Sequence, residues 1–173
     1  MERPGAITIE GRPFTVVGPE LKAGDRAPDF SVVDSANKPV QFADTARRVR
    51  IFSVIPSLDT PVCDAQTRRF NLEADRVPEV DIYTVSMDLP FAQRRWCRDF
   101  VVDKVRMLSD HRAASFGTAW GTLIKDLRLL SRAIFVVGAD DILRYAEYVT
   151  ELTEHPNYEA ALAAAQSARA QSA

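Results

Sequence analysis

The chain has 173 residues, of which 46% are hydrophobic and 27% are charged, and its formal net charge is −2. This composition is typical of an ordinary globular protein, and the length suits a single domain over residues 1–173. The small negative charge argues against nucleic acid or an anionic membrane as the main partner.

The N-terminus and the cysteines indicate the compartment. No secretory signal is present at the start, and no stretch approaches the ~20 apolar residues of a transmembrane helix. We therefore expect a cytoplasmic protein, whose two cysteines are catalytic, metal-binding or simply buried. A metal site is not expected, because Cys63, Cys97, His111 and His155 lack paired short spacings, and no cofactor is predicted.

The first part of the chain predicts strands. Residues 7–9 and 14–17 flank a Gly- and Pro-containing turn and predict an N-terminal β-hairpin, and residues 30–33 predict a short strand. Residues 51–55 are β-branched and aromatic, which indicates a strand buried on both faces. Pro56 ends this strand.

A helix is predicted to begin immediately afterwards. Thr60 followed by Pro61 is a helix-start signal, with the Thr60 side chain accepting from free N–H groups, and it makes Cys63 the third helical residue. The helix end favours a thiolate, but it supplies only ~0.3 to 1 kcal/mol, against ~1.4 kcal/mol for each pKa unit. A nearby cation is therefore expected as well. An arbitrary cysteine is more often a small buried hydrophobe, but this arrangement is typical of thiol chemistry.

The rest of the chain predicts an α/β fold. A strand over residues 80–87 completes a parallel βαβ unit with the Cys63 helix, and Cys97 lies at the edge of the buried face of the next helix. Together with a later hairpin and a closing helix, this order favours a mixed central sheet with helices on both faces. The remaining predicted elements are helices 90–100 and 113–120, strand 105–108, the hairpin 133–137 with 142–149, and a final helix capped by Asn157.

Residues 56–63, Pro-Ser-Leu-Asp-Thr-Pro-Val-Cys, match the Pro-x-x-x-Thr-x-x-Cys signature of peroxiredoxins, and the longer string resembles their thiol peroxidase branch. The similarity also runs through residues 18–30, 108–110 and 130–137, so it covers nearly the whole chain. The resemblance implies a thioredoxin-like fold with an added N-terminal β-hairpin. It also implies a thiol-dependent peroxidase for hydrogen peroxide and alkyl hydroperoxides.

The resemblance assigns roles to individual residues. Cys63 would be the peroxidatic nucleophile, which is oxidised to a sulfenic acid. Thr60 would orient the peroxide, Arg132 would be the missing cation, and Pro56 would shield the thiolate from water. Without the resemblance, the plain interpretations are a helix cap, a surface arginine at a strand end and a strand terminator.

Cys97 would be the resolving cysteine, which forms an intramolecular disulfide with Cys63 that thioredoxin reduces. The family usually follows this cysteine with a small, Gly-containing segment, whereas residues 98–102 are bulky. Because a disulfide needs Cα atoms about 4.4 to 6.8 Å apart, we expect the start of the Cys63 helix or the Cys97 segment to unfold in each cycle. The resemblance further implies a homodimer.

Three other interpretations stay open. Turnover with one cysteine would leave Cys97 structural. A redox sensor or binding module of the same fold would be oxidised without rapid turnover. A structural disulfide would require an inert Cys63.

Overall fold

The computed structural model describes residues 1–172. The helices are α1 (Pro61–Glu73), α2 (Pro90–Phe100), α3 (Ser115–Ala119) and α4 (Tyr158–Ser172). The strands are β1 (Glu2–Ile9), β2 (Arg12–Val17), β3 (Ser31–Asp34), β4 (Pro39–Gln41), β5 (Val49–Val54), β6 (Val80–Ser86), β7 (Arg106–Ser109), β8 (Leu123–Ile124), β9 (Leu129–Leu130), β10 (Ala133–Val137) and β11 (Leu143–Tyr148).

The larger sheet has seven strands in the order β11-β10-β5-β6-β7-β3-β4. Strand β6 pairs in parallel with β5 and with β7, while the other neighbours are antiparallel. The predicted mixed sheet and parallel βαβ unit are therefore confirmed. Strand β5 is buried at every position, as the uninterrupted apolar run predicts.

The smaller sheet has four strands in the order β1-β2-β8-β9. It contains the predicted N-terminal hairpin, in which Ile9 pairs with Arg12 around the turn. Strands β8 and β9 were not predicted, because a two-residue strand is too short to show a period of two. Tertiary pairing with β2 is what fixes them.

Helices cover both faces of the larger sheet, as predicted. Successive side chains of a strand point to opposite faces, so Ile51 and Phe52 enter different cores. Ile51 packs in the core shared with Phe70 of α1 and Leu162 of α4. Phe52 packs in the other core, with its ring centroid 5.2 Å from that of Trp120.

The pairing of β5 with β10 places the functional residues. The two strands run antiparallel with Ala133 opposite Val54, so the start of β10 lies beside the end of β5. Helix α1 begins a few residues after that same end. Arg132, which immediately precedes β10, is therefore brought to the N-terminus of α1 from a distant part of the sequence.

Two helix boundaries follow from local chemistry. The predicted Asn157 cap of α4 is confirmed, because its Oδ1 accepts a hydrogen bond of 3.0 Å from the Ala160 N–H. The bounds predicted for α2 are also confirmed. Within residues 1–172, no helix is both long enough and apolar enough to cross a bilayer.

Candidate active site

Helix α1 begins where the sequence predicts. Thr60 has extended backbone angles and is the N-cap residue, Pro61 is the first helical residue, and Cys63 is the third. The sulfur-bearing residue therefore lies in the first turn, where backbone N–H groups lack partners within the helix and the dipole favours negative charge.

The prediction that the Thr60 side chain caps α1 is wrong. Its hydroxyl donates instead to the Ser57 carbonyl at 2.9 Å, and its backbone N–H donates to the same oxygen at 3.2 Å. The turn before the helix offers this acceptor within reach, so the hydroxyl closes the turn instead of capping α1. The hydroxyl proton is thus committed, and the lone pairs of its oxygen can accept from another group.

Cys63 and Arg132 lie together inside the protein. Arg132 Nη2 is 3.5 Å from Cys63 Sγ. Cys63 is 0% exposed and Arg132 is 2% exposed. The guanidinium also donates to the Leu152 carbonyl from Nε at 3.1 Å and from Nη2 at 2.7 Å. Nη1 donates to Gln66 Oε1 at 2.8 Å. The arginine that the resemblance selects is therefore beside the sulfur.

The charge of this arginine has no carboxylate partner among the contacts within residues 1–172. Its acceptors there are an amide oxygen, a backbone carbonyl and the Cys63 sulfur. Two opposite unit charges about 4 Å apart attract each other by ~4 kcal/mol at an effective dielectric constant of ~20. That is larger than the contribution of a helix terminus, so the guanidinium favours a negatively charged sulfur.

Gln66 and Leu152 are site residues that the sequence interpretation missed. Gln66 is fully buried, and its Nε2 donates to Ser53 Oγ at 2.8 Å, which fixes the amide so that its oxygen faces Arg132. Gln66 follows Cys63 by three positions, so helical spacing could have identified it. Leu152 acts through its backbone carbonyl, which its side chain does not reveal.

Pro56 and the following turn join β5 to α1. Pro56 and Leu58 are buried, whereas Thr60 and Pro61 are exposed. Near Thr60 the surface has a cavity of about 300 Å³ between the start of α1 and α2. Its lining is mainly apolar and consists of Leu58, Asp59, Thr60, Pro61, Asp64, Trp96 and Phe100.

Cys97 lies in a different environment. It is a free, half-buried thiol on α2, and burial raises its pKa to about 11. It borders a cavity of about 470 Å³ whose lining includes Tyr83, Val102 and Met107. The structure places it on a separate helix from Cys63, and both cysteines are unpaired.

The end of α2 is strained next to Cys97. Val101 adopts the left-handed conformation, with φ of 55°, and its N–H donates to the Cys97 carbonyl. The Val102 N–H donates to the same carbonyl at 2.9 Å. Glycine is the usual residue at such a helix end, because a β-branched side chain is disfavoured there.

Helices α1 and α2 are linked near the two cysteines. Trp96 Nε1 donates to Asp64 Oδ1 at 3.2 Å, and the centroids of the Trp96 and Phe100 rings lie 5.1 Å apart.

Among the described residues, no group of three or more His, Cys, Asp or Glu side chains could hold a metal ion.

Comparisons with known proteins identify the family of the chain. The redoxin family model matches residues 22–162. A thiol peroxidase of Halalkalibacterium halodurans is 52% identical over 94% of this chain and 98% of its own. A thiol peroxidase of Bacillus subtilis is 55% identical over 92% of this chain and 95% of its own.

The structural comparison extends over the same region. The crystal structure of a peroxiredoxin-like protein from Aquifex aeolicus is similar with a TM-score of 0.88 and 37% identity, covering 95% of this chain and 97% of that one. This likeness confirms the predicted thioredoxin-like architecture.

Proposed function

Because the chain belongs to the redoxin family and to its thiol peroxidases, which are enzymes, we propose that it reduces hydrogen peroxide and alkyl hydroperoxides with Cys63 as the nucleophile. One observation carries the proposal. A fully buried guanidinium without a carboxylate partner in its described contacts lies 3.5 Å from the sulfur of a first-turn cysteine. Such surroundings favour the reactive thiolate.

In the first step, the Cys63 thiolate attacks one peroxide oxygen, so that an S–O bond forms and the O–O bond breaks. The sulfur is oxidised to a sulfenic acid, while the other oxygen leaves as hydroxide or alkoxide and takes a proton to become water or an alcohol. Thr60 accepts from the peroxide hydroxyl, since its own proton is committed to Ser57. Arg132 stabilises the charge that develops on the departing oxygen.

In the second step, the Cys97 sulfur attacks the sulfenic sulfur and releases water, which leaves a Cys63–Cys97 disulfide. A dithiol donor then reduces the disulfide and returns both thiols. Because the two cysteines lie on separate helices, this step requires local unwinding. Burial also keeps Cys97 protonated, so unwinding both exposes its sulfur and allows it to ionise.

The site favours small or apolar peroxides. Cys63 is fully buried, so only a small reacting group can approach its sulfur. The cavity of about 300 Å³ beside Thr60 has an apolar lining from Leu58, Trp96 and Phe100 that suits an alkyl group. Pro56 limits the access of water to the thiolate.

The proposal includes the partners and the compartment. The reductant is thioredoxin, which reduces disulfides in the cytoplasm, and the assembly is a homodimer. Leu89 and Phe91 at the start of α2 are 51% and 61% exposed, which supplies an apolar surface that a second copy could cover. Turnover with a thioredoxin system and light scattering of the purified protein test these two statements.

The main test is stopped-flow oxidation of the reduced protein by hydrogen peroxide. Wild type is expected to consume peroxide rapidly, and Cys63→Ser is expected to abolish the reaction. Cys97→Ser is expected to react once and then to lose sustained turnover with a thioredoxin donor. Serine replaces the thiol at nearly the same size in both variants, so each serves as a control for the other.

The outcomes separate the alternatives. Slow peroxide consumption by wild type would indicate a sensor or binding module. Sustained turnover by Cys97→Ser would instead show a one-cysteine enzyme. Unchanged peroxide consumption in Cys63→Ser would overturn the proposed nucleophile.

A further inference from the structure

The turn that precedes the Cys63 helix is held by the side chain of Asp88, which lies just after strand β6. Asp88 follows β6, is half-buried, and points its carboxylate at the turn. Its Oδ1 accepts from the Ser57 hydroxyl at 2.7 Å, and its Oδ2 accepts from the Leu58 N–H at 2.8 Å. These bonds attach two consecutive turn residues to the end of β6.

The carboxylate is itself oriented by its neighbours. The Ser86 hydroxyl donates to Asp88 Oδ2 at 2.8 Å, and the Ser109 hydroxyl donates to the Asp88 carbonyl at 2.6 Å. Both serines are buried and end the adjacent parallel strands β6 and β7. The position of Asp88 is therefore fixed by hydrogen bonds from the ends of β6 and β7.

Further hydrogen bonds connect the turn to Thr60 and to the first turn of α1. The Ser57 carbonyl accepts both the backbone N–H and the hydroxyl of Thr60. The Thr60 carbonyl then accepts the Asp64 N–H at 3.0 Å, in the first turn of α1 that contains Cys63. These hydrogen bonds are joined through the backbones of Ser57 and Thr60, so we expect a displacement at Asp88 to move Thr60 and the start of α1.

We propose that Asp88 is a positioning residue of the peroxidase site, which holds the turn before α1 in the geometry for peroxide attack and resists its release during disulfide formation. This inference rests on the proposed function. Asp88 also precedes Leu89, the N-cap of α2, and so lies at the junction of the two helices that carry the cysteines. Removing its carboxylate therefore has opposite effects on the two steps.

The test separates these steps in the reduced full-length protein by stopped-flow fluorescence with hydrogen peroxide. Oxidation of Cys63 depends on the peroxide concentration, whereas disulfide formation does not. Asp88→Ala is expected to slow oxidation by about tenfold, because misplaced reacting groups lose rate steeply. It is expected to speed disulfide formation several-fold. Asp88→Asn keeps one acceptor and is expected to show smaller changes of the same signs.

Asp88→Asn also distinguishes positioning from charge. The aspartate is negative, so a purely electrostatic role would disfavour the thiolate, and neutralising the aspartate would speed the oxidation of Cys63. A positioning role predicts slower oxidation. Faster or unchanged oxidation in Asp88→Asn would overturn the inference.

Two further variants complete the design. Ser57→Ala removes one of the two hydrogen bonds between Asp88 and the turn and leaves the sheet unchanged. If Asp88→Ala does not fold, Ser57→Ala replaces it, and it is likewise expected to slow oxidation and to speed disulfide formation. Asp81→Asn lies at the opposite end of β6, where Asp81 contacts Arg48 and Arg106, and it is expected to leave both steps unchanged. Equal slowing of both steps in the Asp88 and Ser57 variants would contradict the inference.

Failure of the inference is distinguishable from failure of the proposed function. If wild type consumes no peroxide, the proposed function fails and the inference fails with it. If wild type oxidises Cys63 rapidly and the Asp88 variants match it, the inference alone fails.

Discussion

The two cysteines contact the same apolar core but differ in their polar neighbours. Cys63 is a fully buried member of the apolar core, but Arg132 lies 3.5 Å from its sulfur and the residue occupies the first turn of a helix. Cys97 is half-buried among apolar side chains, and burial raises its pKa. A buried cation lies beside the Cys63 sulfur, whereas burial disfavours a charge on Cys97.

The helix ends beside these cysteines also differ. The start of α1 follows a turn fixed by hydrogen bonds to Asp88, while the end of α2 is closed by a valine in the left-handed conformation. One end is held in place, and the other stores local strain. In the proposed mechanism, Cys63 therefore reacts in the folded state, and Cys97 reacts after α2 unwinds.

The largest expected contrast is in alkylation. With its pKa raised to about 11, Cys97 in a Cys63→Ser variant has only ~10⁻⁴ of its thiol ionised at pH 7, and its alkylation rate is expected to rise about tenfold per pH unit up to about pH 11. Cys63 in Cys97→Ser is expected to react faster at pH 7, because the Arg132 guanidinium lies 3.5 Å from its sulfur. Rates with iodoacetamide against pH measure this difference. Similar rates in the two folded variants would break the comparison, and the unfolded chains provide the control.

The next largest effect is expected from Arg132→Met. Loss of the guanidinium removes the cation beside Cys63 and is expected to lower the rate of peroxide oxidation by about 10²-fold. Arg132→Lys is the matched control, because it keeps the charge and loses the planar fork, so an intermediate rate is expected. Stopped-flow oxidation measures both. A methionine variant as fast as wild type would show that the sulfur does not need this cation.

A smaller effect is expected from Val101→Gly. Glycine adopts the left-handed conformation without the ~1 to 2 kcal/mol penalty of an L side chain, although its own chain entropy offsets part of the gain. The free energy of unfolding is expected to rise by about 1 kcal/mol, and disulfide formation is expected to slow about fivefold because α2 unwinds less readily.

Arg128→Gly is the control for that variant. Arg128 also has a positive φ, of 50°, in the turn between β8 and β9, so the substitution relieves comparable strain away from Cys97. It is expected to stabilise the protein and to leave disulfide formation unchanged. Urea unfolding and single-turnover kinetics measure the two quantities. Equal slowing by both glycines would assign the effect to general stability.

The smallest expected effect concerns the segment whose Leu152 carbonyl accepts hydrogen bonds from Arg132. Glu151 precedes Leu152 and accepts from the Gly11 N–H at 3.1 Å and the Thr8 hydroxyl at 2.7 Å, and such bonds lower its pKa to about 2. A lowered carboxyl pKa stabilises the folded state fully above the ordinary value of 4.5 and loses that contribution as the pH falls through about 2.

Glu151→Gln is therefore expected to be less stable than wild type at neutral pH, with a difference that shrinks as the pH falls from 4.5 towards 2. Urea unfolding at a series of pH values measures the difference. Glu154→Gln, at an exposed position three residues later, is the control and is expected to match the stability of wild type at neutral pH. A constant difference across this range would contradict the assigned role of Glu151.

Much of the fold could be predicted because its signals are local. The buried strand β5, the Thr60-Pro61 start of α1 and the Asn157 cap each depend on a few consecutive residues. The short strands β8 and β9 could not be predicted, because they exist only through pairing with β2. The capping role predicted for the Thr60 side chain was wrong, because its hydroxyl donates to the Ser57 carbonyl, an acceptor that sequence spacing does not reveal.

By itself, the sequence determined the α/β architecture, the position of Cys63 in a first helical turn and, through the resemblance of residues 56–63, the family. These properties follow from residue types at short spacing. Only the tertiary structure decided which groups meet the sulfur. Arg132 is 69 residues from Cys63 in the chain, and the antiparallel pairing of β5 with β10 brings them together. The Leu152 carbonyl and the Asp88 carboxylate reach the site in the same way, because folding places distant backbone and side-chain atoms in one small volume.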